Sequence, residues 1–381
     1  MKYTKRFFKG LIFLLLLIVV LLYITDYNYI LKGVRVVYMT GHTTAFIDDH
    51  TYFENESIPP STKPQPWNHH KDYNIVDATS ALLETNKELG TIAFLVIKND
   101  SIWYENYAES YGRESQTNSF SMAKSITSAL LGKAINDGYI KNLNQPVSDF
   151  YPKFDSSMKV GDLSSMASGL NWDESYTSPF SVTARSYYDD NLAETILNLE
   201  VVDTPGDRFK YLSGNTELLG MVIEKASGKK LATYLSEAFW EPMGFENEAL
   251  WQVDDPENRL AKSYCCIASN ARDFARFGKL YSNYGKWNEK QLIDSSFVAK
   301  SIVPRFKESP EYGYGFWLSD HLEKEIFVMR GILGQYVISI PEDELIIVRL
   351  GHQRGGRSGL PFTNDFYTYI DAVYEMLNAG S

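Results

Sequence analysis

Cysteine is almost absent: Cys265 and Cys266 are the only two in 381 residues, and they are adjacent. A metal site needs ligands spread around an ion and a disulfide framework needs more cysteines, so both are disfavoured and two small buried side chains are expected. Histidine is nearly as scarce. His42, His50, His69, His70, His321 and His352 show no His-x-x-x-His or His-Glu-x-x-His spacing, so neither a metal nor a cofactor is expected. A basic tract is missing too: 37 Lys and Arg face 48 Asp and Glu, a formal net charge of -11 spread along the chain. Binding a phosphate backbone needs a clustered positive face, so nucleic acid is not an expected partner.

What is there begins at the N-terminus. Lys2, Lys5, Arg6 and Lys9 precede an unbroken apolar run from Leu11 to Ile24, with Phe7 and Phe8 just before it. With those two rings the run approaches the roughly 20 residues a spanning helix needs. The charge placement predicts an inside N-terminus and a translocated body. A cleaved signal peptide is the rival, but Thr25-Asp26-Tyr27-Asn28-Tyr29 offers no small-x-small site, and no cysteine follows to carry a lipid. The expectation is a signal-anchor over residues 1–26, in a single-pass protein of the bacterial inner membrane with its body in the periplasm.

Residues 27–85, with Pro59-Pro60, Pro64 and Pro66, read as an irregular lead-in to a folded body over 86–381. That body opens with two β-rich runs, Thr91–Ile97 and Ser101–Tyr107, separated by the turn Lys98-Asn99-Asp100. Three more strands are predicted at Glu325–Met329, Gln335–Ile340 and Glu344–Leu350, and a last helix from about Asp365 to Leu377. Helices are expected at Ser125–Ile135, Thr216–Lys225 and Ala271–Leu280. The fold class is therefore α+β. One antiparallel sheet forms from about 90–110 and 322–352, with a mostly helical insert over about 140–320, and a site is expected at the seam between sheet and helices.

Ser121-Met122-Ala123-Lys124 is a Ser-x-x-Lys, a spacing that puts both side chains on one helical face, where a lysine of lowered pKa can deprotonate the serine. About two such matches are expected by chance in a chain this long, and three occur: Ser121/Lys124, Ser156/Lys159 and Ser227/Lys230. Only Ser121 is followed by a long helix. At a helix start its own backbone N–H is among the unpaired donors, ready to stabilise an oxyanion.

Phe120-Ser121-Met122-Ala123-Lys124-Ser125 is followed by Gly161-Asp162-Leu163-Ser164-Ser165-Met166-Ala167-Ser168-Gly169-Leu170. Pro205-Gly206-x-x-Phe209-x-Tyr211-x-Ser213 and Leu218-Leu219-Gly220 come next. From about Gly90 onward this series resembles the beta-lactamase-related serine hydrolases, which include class C beta-lactamases, DD-peptidases, esterases and 6-aminohexanoate-dimer hydrolases. The resemblance implies the beta-lactamase/transpeptidase-like fold, Ser121 as nucleophile, Lys124 as its base and Tyr211 as an assisting group that protonates the leaving group, with Ser213 as a hydrogen-bonding partner. A tyrosine beside a lysine cation is expected to hold its proton less tightly. The literal Tyr-x-Asn at Tyr281-Ser282-Asn283 closes a helix and lacks the preceding Pro-Gly, so it is set aside.

The same resemblance places the third family element at Gly331-Ile332-Leu333-Gly334-Gln335. Gly334 is expected to let backbone approach substrate, and the Gln335 N–H to complete an oxyanion hole with the Ser121 N–H. Ile332 stands where lactamases and DD-peptidases place a cation for the substrate carboxylate, and Arg330 is the candidate to compensate. Within Asn171-Trp172-Asp173-Glu174-Ser175-Tyr176, Tyr176 is a candidate donor to the scissile amide. Arg349 and His352 read as structural, and the loops around Trp172 and Trp240 as shaping the pocket. The expected function is hydrolysis of a small amide or ester through an acyl-enzyme outside the cytoplasm. The alternatives are a beta-lactamase or DD-peptidase acting on penicillins or peptidoglycan peptides, and a catalytically silent binding protein of the same fold.

Overall fold

The computed structural model describes residues 2–380. Helix α1 (Lys2–Ile24) is long and apolar enough to cross a membrane, and none of its apolar window is buried against the rest of the chain. The segment expected to be irregular carries more order than its proline content suggests. It holds α2 (Tyr29–Val36), β1 (Asn55–Ile58), the two-residue β2 (Asn68–His69) and α3 (Ser80–Glu88). These pieces are short and take their order from partners distant in sequence, which a local pattern does not reveal.

The hairpin β3 (Thr91–Lys98) and β4 (Ser101–Tyr107) follows, then β5 (Thr117–Asn118) and the long helix α4 (Met122–Asn136). The insert contains α5 (Val160–Ser164), α6 (Val182–Tyr188), α7 (Leu192–Leu197), α8 (Ser213–Ser227) and α9 (Leu231–Leu235). It continues with β6 (Ala249–Gln252), β7 (Ile267–Ser269), α10 (Ala271–Ser282), the small hairpin β8 (Lys286–Trp287) and β9 (Lys290–Gln291), and α11 (Ser295–Ser301). The chain returns through β10 (Trp317–Ser319), β11 (Ile326–Gly331), β12 (Gln335–Ile340) and β13 (Leu345–Gly351), and ends in α12 (Asn364–Ala379).

Strands from both ends of the body make one sheet of order β10-β11-β12-β13-β3-β4-β2. All its pairs are antiparallel except β2 on β4. Its central strands read as continuous apolar runs because both faces are covered. Phe94 and Val96 of β3 pack under α12 with Phe366, Ile370 and Val373. Leu95 and Ile97 point the other way, into the core built with Ile126, Leu130, Phe274 and Phe277.

A second, four-stranded sheet of order β1-β6-β7-β5 corrects the expectation of a single sheet. Its strands have two to four residues each, too few to show an alternating pattern. This small sheet matters for the site. Ser119, just after β5, gives its N–H to the Ile267 carbonyl (2.8 Å) and accepts the Ile267 N–H on its hydroxyl (3.1 Å), so the residues leading to Ser121 are fixed against β7.

Candidate active site

Ser121 is the N-cap residue of α4, and Phe120 before it holds a left-handed φ of 45°. That conformation is costly for a residue with a side chain and persists only where surroundings impose it. Here the Phe120 N–H is held by the Asn118 side-chain oxygen at 2.9 Å, and the Asn118 amide in turn donates to Asp49 at 2.9 Å. The rotation of α4 is fixed by three hydroxyls that bond outside the helix: Ser125 to the Gly315 carbonyl (2.6 Å), Thr127 to that of Ser263 (2.8 Å) and Ser128 to that of Tyr314 (2.8 Å).

With the helix so held, Lys124 is buried and its Nζ lies 2.9 Å from Ser121 Oγ and 2.8 Å from the Tyr264 carbonyl oxygen. Burial lowers the amine to about 8, partly opposed by the carboxylates of Glu174 and Glu217, which favour the cation. Roughly a tenth of such an amine is neutral at pH 7 and able to accept the serine proton. Neither of the other two Ser-x-x-Lys pairs is arranged this way. Lys159 meets the Ser156 carbonyl rather than its hydroxyl, and Lys230 donates to the carbonyls of Asn258 and Arg259.

Tyr211 precedes α8, its ring 5.2 Å from Lys124 Nζ and packed on Tyr312 and Trp317. Its hydroxyl interacts with Ser121, which favours ionisation, yet burial dominates and holds the phenol above its ordinary pKa, with Glu174 adding to the rise. This corrects the expectation that the neighbouring cation loosens the proton: a buried phenolate beside a carboxylate is disfavoured, so Tyr211 keeps its proton in the resting protein. Tyr281, from the discarded Tyr-x-Asn, is buried in the core against Phe316.

Ser213 and Tyr176 are brought close, but to each other's partner. The Ser213 N–H and hydroxyl both bond the Glu174 carboxylate at 2.6 Å, and the Tyr176 hydroxyl donates to the same group. Glu174 thus organises this wall, a role the sequence reading did not assign. Glu217 was missed as well. It sits one turn after Ser213 on α8, on the same face, accepts both the N–H and hydroxyl of Ser263, and is pushed up to about 8 by burial.

The loop between β11 and β12 borders the cavity through Ile332. Gln335 is fully buried and its side chain bonds the Gly351 carbonyl (2.7 Å) and N–H (3.0 Å), turned away from the cavity; Ile332 is the loop residue that lines it. Gly334, at φ 77°, lies close to Arg349: a Cβ there would sit 2.6 Å from the guanidinium. Gly331 brings this loop against the segment that leads to Ser121: a Cβ there would sit 2.4 Å from the Ser119 carbonyl oxygen. Arg349 is structural as expected, donating to the carbonyls of Leu333 (2.8 Å), Gly334 (2.9 Å) and Leu89 (2.9 Å). Arg330 is not among the residues lining the cavity, but it is near enough to Tyr211 for its charge to favour the ionised phenol. It stacks on Trp317 and Phe362 and donates to the Pro361 carbonyl. His352 lies by Glu109, and Trp240 stacks on Phe245 inside the core and is not among the residues lining the cavity that holds Ser121. Trp172 is buried beside Tyr264.

The cavity in front of Ser121 has a volume of about 470 Å³. Among the described residues no charged side chain lines it, and Cys265 is part of its wall. The two cysteines are buried as expected but not free: Cys265 and Cys266 are joined to each other in a disulfide. Adjacency does not preclude pairing where the chain turns sharply, and Cys266 here adopts φ 76°.

An antiparallel sheet interrupted by a helical insert, with a helix-borne serine at their seam, is the architecture of serine hydrolases built on the beta-lactamase and transpeptidase fold. Residues 77–367 match the beta-lactamase family model, and the chain belongs to that family. It is 24% identical over 321 residues to the 6-aminohexanoate-dimer hydrolase of Paenarthrobacter ureafaciens, covering 75% of this chain and 80% of that protein. Teichoic acid D-alanine hydrolase of Staphylococcus aureus is 24% identical over 249 residues, 59% of each chain. Among solved structures, a Bacillus anthracis protein provisionally named a 6-aminohexanoate-dimer hydrolase superposes with a TM-score of 0.72 at 21% identity, over 85% of this chain and 90% of that one. A penicillin-binding protein homologue from Pyrococcus abyssi gives 0.61 at 21% identity, over 79% and 76%. At these identities the structural likeness carries the fold, and the family carries the assignment as a serine hydrolase.

Proposed function

We propose that this serine hydrolase acts through an acyl-enzyme on Ser121, with Lys124 as base and Tyr211 as general acid. The observation that carries the reading is the 2.9 Å contact between a buried, pKa-lowered Lys124 amine and Ser121 Oγ. Neutral Lys124 takes the hydroxyl proton as Oγ attacks the acyl carbonyl. The carbonyl oxygen gathers negative charge at the start of α4, where the Ser121 N–H is available, and the Gln335 N–H of the β11–β12 loop is the second donor. Collapse breaks the bond to the leaving group, which takes its proton from Tyr211. Water then attacks the ester, with Lys124 and Tyr211 returning to their starting states.

The substrate is a neutral amide or ester. A carboxylate-bearing penicillin or peptidoglycan peptide would meet Ile332 where it needs a cation, and Arg330 is held against Trp317 and Phe362, which places lactamase or DD-peptidase activity second. The helix α1 is read as a retained anchor that holds the body outside the cytoplasm, on the strength of its apolar length and the basic residues before it. Mass spectrometry of the intact protein after incubation with p-nitrophenyl esters, linear amides and a penicillin tests the chemistry. An added acyl mass from the neutral esters, absent in Ser121→Ala, is expected. Acylation by the penicillin at a comparable rate would reverse the substrate ranking, and an unchanged adduct in Ser121→Ala would remove Ser121 as nucleophile.

A further inference from the structure

Part of the wall of the cavity that holds Ser121 is built by the segment that leaves α1. Only four residues separate Ile24, the end of α1, from Tyr29, the start of α2. Ile30 and Val34 of α2, with Val37 just after it, line the cavity that contains Ser121, Tyr264 and Ile332. That segment is fastened to the body at the same place. Arg185 binds the Asp26 carboxylate at 2.7 Å, Tyr27 meets the ring of Phe180 edge-on, and the Tyr29 hydroxyl donates to the Pro179 carbonyl at 2.9 Å. Two residues of this wall are apolar yet exposed, Val34 at 40% and Tyr38 at 65%, and Phe180 at 64% and Met39 at 77% adjoin wall residues in the chain.

Three features therefore coincide: an uncharged cavity larger than an acetyl or amino-acid group needs, an apolar exposed border, and direct continuity with the helix long enough to span a bilayer. A water-soluble substrate uses none of them. We infer that the substrate is a membrane amphiphile, an ester or amide carrying an alkyl chain, whose chain lies along α2 while its carbonyl reaches Ser121. The inference rests on the reading of Ser121 as the nucleophile and deepens it. Its chemistry is the hydrolysis already described: water supplies OH to the acyl group and H to the leaving group, and no further reactant is needed. The source is the bilayer that α1 enters, which delivers the chain laterally and spares its passage through water.

The test uses the full chain in phosphatidylcholine nanodiscs. Two ester series carry the chain on opposite sides of the carbonyl: p-nitrophenyl esters from acetyl to decanoyl, and acetates of alcohols from ethyl to decyl. Burying one methylene is worth up to about fourfold in kcat/KM, so at least one series should rise by tenfold or more between the shortest and the eight-carbon member. Val34→Trp and Ile30→Trp, which fill the α2 side, should cut that long-to-short ratio several-fold, each judged within its own series so that a loss of folded protein cancels. Flat profiles in both series, or ratios that neither variant moves, overturn the inference even if Ser121 is acylated. A Ser121→Ala protein that still shows the chain-length preference overturns instead the nucleophile on which it rests.

Discussion

Ser121-Met122-Ala123-Lys124 and Ser227-Gly228-Lys229-Lys230 satisfy the same four-residue pattern, each at one end of a 15-residue helix. Ser121 caps the start of α4, where backbone N–H groups are unpaired, and its lysine is buried behind it. Ser227 is the last residue of α8, among the unpaired carbonyls, and donates its hydroxyl to the Ile223 carbonyl at 2.7 Å. Lys230 there is 43% exposed and paired with Glu224. Negative charge developing on an acyl oxygen is stabilised at the first place and repelled at the second. The pattern brings two groups into reach; helix polarity and burial decide whether they can do chemistry.

The largest test of that contrast is to remove each hydroxyl. Ser121→Ala should abolish covalent labelling and lower ester turnover by about 10⁴ or more, the scale for losing a nucleophile. Ser227→Ala should stay within about twofold, since the residue only closes a helix. Active-site labelling with circular dichroism as the fold control measures both. Equal losses from the two variants would erase the distinction. One step smaller, Lys124→Ala should reduce second-order acylation by a factor on the order of 100 or more, and Lys230→Ala should leave it within about twofold. Acylation rates from stopped-flow release of p-nitrophenol check the pair.

That contrast also marks how much could be read from the chain alone. The apolar runs of β3, β12 and β13 and the spacing of Phe366, Ile370 and Val373 announce themselves because both faces of the sheet are covered and one face of α12 is. Ser121, Lys124 and Tyr211 were legible as a group only through motif order, since 89 residues separate Ser121 from Tyr211. The small sheet of β1, β5, β6 and β7 was not, because each strand owes its existence to a partner far along the chain. Glu174 and Glu217 look like surface acids in the sequence and become site residues only when Ser213 and Ser263 fold onto them. How the turn between β11 and β12 faces was not legible, because a motif gives residue order but not orientation: Ile332 lines the cavity while the Gln335 side chain bonds Gly351. The role of α2 as cavity wall was hidden for the same reason.

Tyr211→Phe comes next in size and separates acid from base within the Ser121 site. The phenol holds its proton, so its loss should hurt leaving groups that need one. Turnover of an anilide or alkyl amide should fall by about 100-fold, whereas a p-nitrophenyl ester, whose leaving group departs as the anion, should fall several-fold less. Parallel kcat/KM series on the two substrate types measure it. Equal losses would move Tyr211 from general acid to part of the base.

The smallest expected effect comes from Glu174→Gln, which keeps an oxygen for the Ser213 N–H but removes the charge. Lys124 acts as base only when neutral, so kcat/KM in the parent should climb with pH and level off above about 8, where burial has placed the amine. The Glu174 carboxylate works against burial by favouring the ammonium form. Taking that charge away should let the Lys124 pKa fall, moving the rising limb to lower pH and raising the rate at pH 6–7 by less than about tenfold. The plateau should drop slightly, because a less basic amine pulls less strongly on the serine proton. A pH–rate profile of both proteins on one p-nitrophenyl ester reads the shift directly. A limb that stays in place would show that Glu174 does not act on Lys124. Loss of the limb with a plateau more than about 100-fold lower would make Glu174 itself the proton carrier, and Lys124 would no longer stand apart from Lys230 as the base.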